Sequence, residues 1–279
     1  MLYLIGSVLF FSVNNVLWSH YAPKVYPFKL IGKRAFFTTI FMGAILIFVG
    51  LTQELRFQNH LLEVLAVSTV GFVGLLFLVL GFKKGTVLQF SSYSLLLTFV
   101  LGFVGEQTNT ISLVQKLPEL LIVSLGYLAF VWGQFSKVKS KPSFLGHIYF
   151  ILAHVCFGGL LILQWHLLDS VSNTAIAFFQ ELLVFVLASC IWMFMPLKHK
   201  EQKRIVWWQY ALFALPISLA VLLGLEGLKS THPFHSALIS LLTPMITLII
   251  ATISGIEKLK WKPMVGFMLI IFGLLMFYF

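Results

Sequence analysis

The amino-acid sequence predicts an all-α membrane protein of ten transmembrane helices, arranged as two inverted five-helix repeats. Three observations predict it. Of the 279 residues, 59% are hydrophobic and 10% are charged, against about 25% charged in an average soluble domain. The apolar runs are close to the ~20 residues a helix needs to cross a hydrocarbon core about 30 Å thick. The basic residues stand in short clusters between those runs. A net charge of +10 would by itself suggest nucleic acid as a partner. Its placement between apolar runs points to membrane topology instead.

The first run, MLYLIGSVLFFSV, has no basic leader and no small-residue cleavage site, so it reads as a span and not as a signal peptide. Polar and basic punctuation cuts the chain into spans at 2–20, 31–51, 61–83, 87–104, 117–136, 145–166, 174–196, 206–226, 234–255 and 263–279. Helices are expected throughout, because lipid-facing backbone must satisfy its own hydrogen bonds and these runs lack barrel-type alternation. Cys156 and Cys190 lie inside apolar runs without metal-ligand spacing and are read as packing residues.

Taking the N-terminal side of the first span as side A, sixteen Lys and Arg fall on side B, from Lys24 to Lys262, and three on side A, namely Arg56, Lys116 and Lys229. This bias makes side B cytoplasmic, puts both termini outside and favours an even number of spans.

The halves also resemble each other, which sets two units at 1–140 and 141–279. VLWSHYAPKVYPFKLIGKRAFF lines up with LILQWHLLDSVSNTAIAFFQEL, with Trp18 matching Trp165 approximately and, sixteen residues later, Arg34 matching Glu181. VLGFKKGTV aligns with GLEGLKSTH, and Glu106 falls against Glu257. Five spans per half mean that the second half enters from the opposite face, the arrangement that supports alternating access.

From Gly227 to the end, a Leu-Lys pair (Leu228, Lys229) closes one helix. A helix with central Pro244 follows, then Glu257, then a last helix containing Gly266 and Gly273. With Pro27 and Arg34 around the second span, this order resembles the ten-helix drug/metabolite transporter superfamily of the EamA-like type, over nearly the whole chain. The resemblance implies a secondary transporter or facilitator of small metabolites, amino-acid-like compounds among them, and the lack of long loops fits a bacterial plasma membrane. It implies no ATPase domain, and the chain shows no Gly-rich phosphate loop. The chain departs from the family in carrying Glu181 opposite Arg34, Tyr93 near where the first half would repeat Pro244, and a basic bias opposite to the family's usual orientation.

Candidate pathway residues are the polar groups that punctuate apolar spans, because an intramembrane polar residue is costly and marks a route or a relay. They are Asn14, Asn15, Arg34, Ser92, Tyr93, His154, Gln180, Glu181, Thr243 and Pro244. At ~1.5 Å per residue, Asn14, Asn15, His154, Thr243 and Pro244 lie near mid-depth, with Glu181 about 10 Å below side A. The same arithmetic leaves Arg34 on the order of 15 Å from Glu181 in depth, so the two are expected to line opposite halves of one cavity without touching. Neighbours on a helix face about 100° apart, so at most one of Asn14 and Asn15 is expected in the cavity.

Each residue has a plainer reading too: interhelical hydrogen bonds for the Asn pair, snorkelling for Arg34, a neutral core histidine for His154, a passive kink for Pro244. Trp18 and Trp165 are explained at least as well by interfacial anchoring. Glu181 is a candidate proton carrier, since burial favours the neutral carboxyl. The expected partners are a small-molecule substrate and the lipid bilayer, with no nucleic acid, cofactor or metal. A lipid-active intramembrane enzyme is the weaker alternative, because Asp169 is the chain's one Asp. A non-transporting regulatory protein would have a packed centre.

Overall fold

The computed structural model describes residues 1–49, 59–86, 89–90, 93–107, 113–135, 143–195, 205–255 and 261–279, and among these every regular element is helical. The helices are α1 (Leu2–Tyr21), α2 (Pro27–Val49), α3 (Leu61–Lys84), α4 (Ser94–Gln107), α5 (Leu117–Phe135), α6 (Phe144–Leu167), α7 (Asn173–Phe194), α8 (Trp207–Lys229), α9 (Pro233–Ser240), α10 (Thr243–Ile253) and α11 (Trp261–Tyr278). Among the described residues eight stretches are long and apolar enough to cross a membrane, and Ser94–Gln107 and Pro263–Tyr278 are shorter apolar helices. The chain is a multi-pass helical membrane protein.

Local chemistry fixes the helix starts. Pro27 opens α2, where its fixed φ suits the first turn and its missing N–H is no loss. Ser172 caps α7 by accepting a hydrogen bond from the Ala175 amide at 3.2 Å. His232 caps α9, its Nδ1 accepting from the Phe234 amide at 3.1 Å. The expected ninth span is two helices, not one. Pro244 stands in the first turn of α10, directly after the break at Leu241–Leu242. A proline there removes one backbone hydrogen bond and crowds the carbonyl four residues back, at Ser240. The second span starts at 27 instead of 31; in the fourth, residues 89–90 are helical and a further helix begins at Ser94, with 87–88 and 91–92 outside the described residues. Of the two cysteines, Cys156 is half-buried as a packing residue would be, but Cys190 is exposed on the outside of α7.

The packing follows a pattern. The largest helix contacts pair α5 with α11, α3 with α6, α2 with α7 and α1 with α8, and α3 with α7, α2 with α8, α1 with α10 and α4 with α9 follow. Lipid tails are as apolar as leucine, so close association between such helices comes from small residues that let surfaces interlock. Gly81 of α3 receives the Phe150 ring, and Gly227 of α8 receives Leu4. At Gly266 of α11 a side chain would run into the backbone of Phe130 and Gly126, so α5 and α11 meet backbone to backbone. The centre of the bundle, between α1, α3, α6, α7, α8 and the α9–α10 break, is not filled.

Candidate functional site

A cavity of about 260 Å³ occupies that centre, just below the ~300–1,000 Å³ of most small-molecule pockets. One face of α1 forms a wall of it through Leu4, Ser7, Val8, Phe11, Asn14, Asn15 and Trp18. The spacing of three and four residues is that of a helical stripe at least 100° wide. That width corrects the expectation for the Asn pair: both line the cavity and both are buried.

Eight of the ten candidate residues lie on the cavity wall: Asn14, Asn15, Arg34, His154, Gln180, Glu181, Thr243 and Pro244. Tyr93 is outside the lining. Its hydroxyl bonds His147 Nδ1 at 2.6 Å, and its ring sits 6.2 Å from that of His154. Ser92 lies outside the described residues.

The expectation that Arg34 and Glu181 stay apart is wrong. Arg34 Nη1 donates to Glu181 Oε2 at 2.7 Å, with both side chains almost fully buried. Two physical causes close the gap. Starting α2 at Pro27 moves Arg34 about 6 Å deeper, at ~1.5 Å per residue. The two long side chains then span the rest, a reach that depth along the backbone leaves out. Arg34 Nη1 also donates to Thr38 Oγ1 at 3.4 Å, and the guanidinium carbon lies 5.7 Å from the centre of the Trp18 ring. The pair places one positive and one negative charge beside the cavity, and each neutralises the other in a setting where a lone charge is costly.

Around this pair the polar groups fall into two kinds. Some are satisfied. Gln164 donates to Gln180 Oε1 at 2.8 Å. The His154 Nδ1–H donates to the Phe150 carbonyl at 2.8 Å, and its Nε2 lies 3.3 Å from the Ser94 hydroxyl, which suits a neutral imidazole. Ser12 donates to the carbonyl of Thr243, at the break in front of Pro244, at 3.1 Å. Others are not satisfied. Trp18 Nε1, Arg34 Nε and Asn14 Oδ1 are buried without any hydrogen-bond partner, and all three residues line the cavity. Native proteins leave few such atoms, because each costs roughly 1–3 kcal/mol. Two unpaired donors and one unpaired acceptor thus belong to residues of the cavity wall.

Trp18 is the site residue that sequence reasoning missed. Instead of anchoring at an interface it is 1% exposed, packed edge-on against Phe213 at 4.5 Å. Its position four residues after Asn14, on the same helical face, was the available signal. Ser7, Ser94, Gln164, Ser236 and Ser240 also line the cavity and were not singled out. Small hydroxyls and an amide inside long apolar runs stand out too little to be picked by type alone.

Comparison with known proteins agrees with this architecture. A solved structure titled "Crystal structure of protein" superposes with a TM-score of 0.72 at 17% identity, over 97% of this chain and 94% of that one. At that identity the likeness concerns the fold. None of the curated proteins matches the chain. The C-terminal half, α6 to α11, matches a transporter family, as the order of Leu228-Lys229, Pro244, Gly266 and Gly273 leads one to expect. Over residues 144–279 this multi-pass membrane protein matches the model of the EamA-like transporter family.

Proposed function

We propose that the protein is a secondary transporter or facilitator that moves a small organic metabolite through the central cavity by alternating access. The observation that carries this reading is a central cavity whose wall holds Trp18, Arg34 and Asn14, each with a buried polar atom that has no hydrogen-bond partner. A substrate suited to it offers an acceptor, best an anionic one, to the two N–H groups and a donor to Asn14. Amino-acid-like compounds carry both. An open centre also favours transport over the regulatory reading, which calls for a packed one.

Ten crossings in two inverted repeats, 1–140 and 141–279, are part of the same proposal, although the boundary between them lies outside the described residues. The support is the pairing pattern. Number the ten segments in order, with α9 and α10 together as the ninth and α11 as the tenth. A shift of five then turns the 1–8 contact into 6–3 and maps 2–7, 4–9 and 5–10 onto themselves. Such a repeat lets the two halves exchange shapes and open the cavity to either side in turn. The basic bias assigns side B to the cytoplasm.

Proton coupling enters through Glu181. A proton on its carboxyl would release Arg34, and Arg34 could then hold an anionic substrate more fully.

The test is untargeted metabolite profiling inside and outside cells that carry the wild type or Glu181→Ala at matched membrane levels. A metabolite shifted across the membrane by the wild type alone identifies substrate and direction. If no metabolite shifts with either protein, the transport reading fails. Coupling fails separately if transport is indifferent to pH and to Glu181→Gln.

A further inference from the structure

The first turns of α7 and α9 are capped by different chemistry. Ser172 holds α7 with a hydroxyl, which does not titrate. His232 holds α9 with an imidazole, whose Nδ1 accepts from the Phe234 amide at 3.1 Å. A backbone N–H only donates, so this bond exists only while Nδ1 carries no proton. The next amide, of His235, goes to the His232 carbonyl at 2.9 Å, so both bonds of the turn start from one residue. The helix they begin is eight residues long and stops at the break before Pro244. A helix that short depends on its cap and its packing, because too few internal bonds offset its nucleation.

Two further imidazoles stand near this cap. Trp165, in the last turn of α6, sets its ring 4.9 Å from that of His232 and 5.0 Å from that of His166. His235 lies one turn into α9. Burial first, then His235 and His166, hold the His232 imidazole below its ordinary range. The elements packed on α9 bring other charged and titratable groups to this end of the bundle: Glu226 and Lys229 on α8, Glu106 on α4, Tyr3 and the amino terminus on α1, and Asp169 after α6. Glu226 accepts from Asn173 Nδ2 at 2.7 Å, and Lys116 and Glu119, at the start of α5, pair at 3.8 Å. The Tyr278 hydroxyl, at the end of α11, lies 3.3 Å from His235 Nδ1.

We propose that His232 is a pH-sensitive latch: a proton on Nδ1 breaks the cap of α9, sets a positive charge at that helix start beside His166 and His235, and loosens the first turn of α9 from α6. The three effects share one sign, since a helix N-terminus is itself the positive end of a dipole. The capped turn takes up this proton less readily than a free imidazole, whose pKa is about 6.5. The cap is therefore complete above that value and is lost as pH falls below it, through the lower value of the folded protein. His232 is half-buried, so protons reach it without crossing the bundle. The consequence for the cavity rests on the transport reading. Ser236 and Ser240 of α9, and Gln164 beside Trp165, belong to the cavity wall, so acid at this end of the bundle loosens that part of the wall.

The experiment is hydrogen–deuterium exchange of the full chain in nanodiscs at about pH 7.5 and about pH 5, on either side of the imidazole range, with protection taken relative to the unstructured rate at each pH. In the wild type, protection of the first turn of α9 is expected to fall about tenfold at the lower pH, from the usual worth of a cap and of a charge at a helix end. The first turn of α7, capped by Ser172, is expected to hold. His232→Asn supplies a capping carbonyl that does not titrate and should abolish the fall, and His232→Ala should show the low protection at both pH values. The latch is overturned if wild-type α9 is indifferent to pH, if α7 falls equally, or if the fall persists in His232→Asn. It is also overturned if His232→Ala is as protected as the wild type at the higher pH. None of these readouts involves a substrate, so they fail or succeed apart from the proposed function.

Discussion

Arg34 and Glu181, which the proposed repeat brings into register at an offset of 147 positions, touch, whereas Gly81 and Gly227, at an offset of 146, do not. Gly81 instead receives Phe150 and Gly227 receives Leu4, and each partner, like each glycine, is displaced from its counterpart by the same 146 positions. Under the proposed repeat the difference has one explanation. Contacts away from the pseudo-two-fold axis come in pairs, so the same chemistry can be used twice. A residue on the axis meets its own counterpart. Two arginines or two glutamates in that position would place like charges in contact inside a low-dielectric bundle, where repulsion is weakly screened. Only divergence to opposite charges makes the axial contact attractive, and the 2.7 Å Arg34–Glu181 pair is that divergence.

The largest expected effect follows from breaking that axial contact. Glu181→Ala leaves the Arg34 guanidinium buried without its counter-charge, a change that typically costs about 3–5 kcal/mol. Unfolding in detergent, followed by circular dichroism, should show the loss. The exchanged double variant, Arg34→Glu with Glu181→Arg, should recover most of it, because matching places on an axis can trade charges. If the exchange is as damaging as the single change, the two positions are not equivalent and the repeat is weakened.

The off-axis contacts give the next effect. At Gly266 a methyl group would meet the backbone of Phe130 and Gly126, which has little freedom to yield. Overpacking of this kind costs roughly 1–3 kcal/mol, and Gly266→Ala belongs at the upper end. Gly81→Ala presses on the Phe150 ring, and Gly227→Ala on the Leu4 side chain with that residue's backbone nitrogen 3.1 Å away, so each should cost less than Gly266→Ala, whose nearest contacts are all backbone. Their costs should also be similar to each other. Gly159→Ala meets nothing within 4 Å and should gain the ~1 kcal/mol by which alanine exceeds glycine in a helix. Melting temperatures of the four variants under one condition check the order.

Much of this was legible in the sequence because polar residues inside apolar runs stand out. Asn14, Arg34, His154, Glu181 and Pro244 were visible by type alone, and the approximate helices by run length. What could not be read depends on rotation and reach. Whether Asn14 and Asn15 both face the cavity depends on how wide an arc of α1 the cavity covers. Whether Arg34 meets Glu181 depends on where α2 starts and on how far two side chains extend. Trp18 was hidden for a different reason. Tryptophan near the end of an apolar run is so common at membrane interfaces that its type carries no site information, and only the Asn14–Trp18 spacing marks it as a cavity residue.

The smallest effect on stability, and the most informative on function, compares the two matching tryptophans. Trp18→Phe keeps an aromatic ring against Phe213 and Arg34 but removes Nε1–H, a buried donor without a partner. Removing an unsatisfied donor loses no hydrogen bond, so the folded protein should lose little stability. A substrate that accepts from that N–H loses one contact, and a hydrogen bond to a charged group is worth roughly 1.5–3 kcal/mol, so affinity should fall at least tenfold. Trp165 is half-buried, with its ring 4.9 Å from that of His232 and outside the cavity lining. Trp165→Phe should leave affinity near the wild-type value. Uptake or counterflow in proteoliposomes, with whatever substrate the profiling identifies, separates the two. Equal losses would show that both tryptophans serve packing. A loss at Trp18 alone would show that, under the proposed repeat, the two halves have divided their tryptophans between recognition and packing, as they have divided the charges of Arg34 and Glu181.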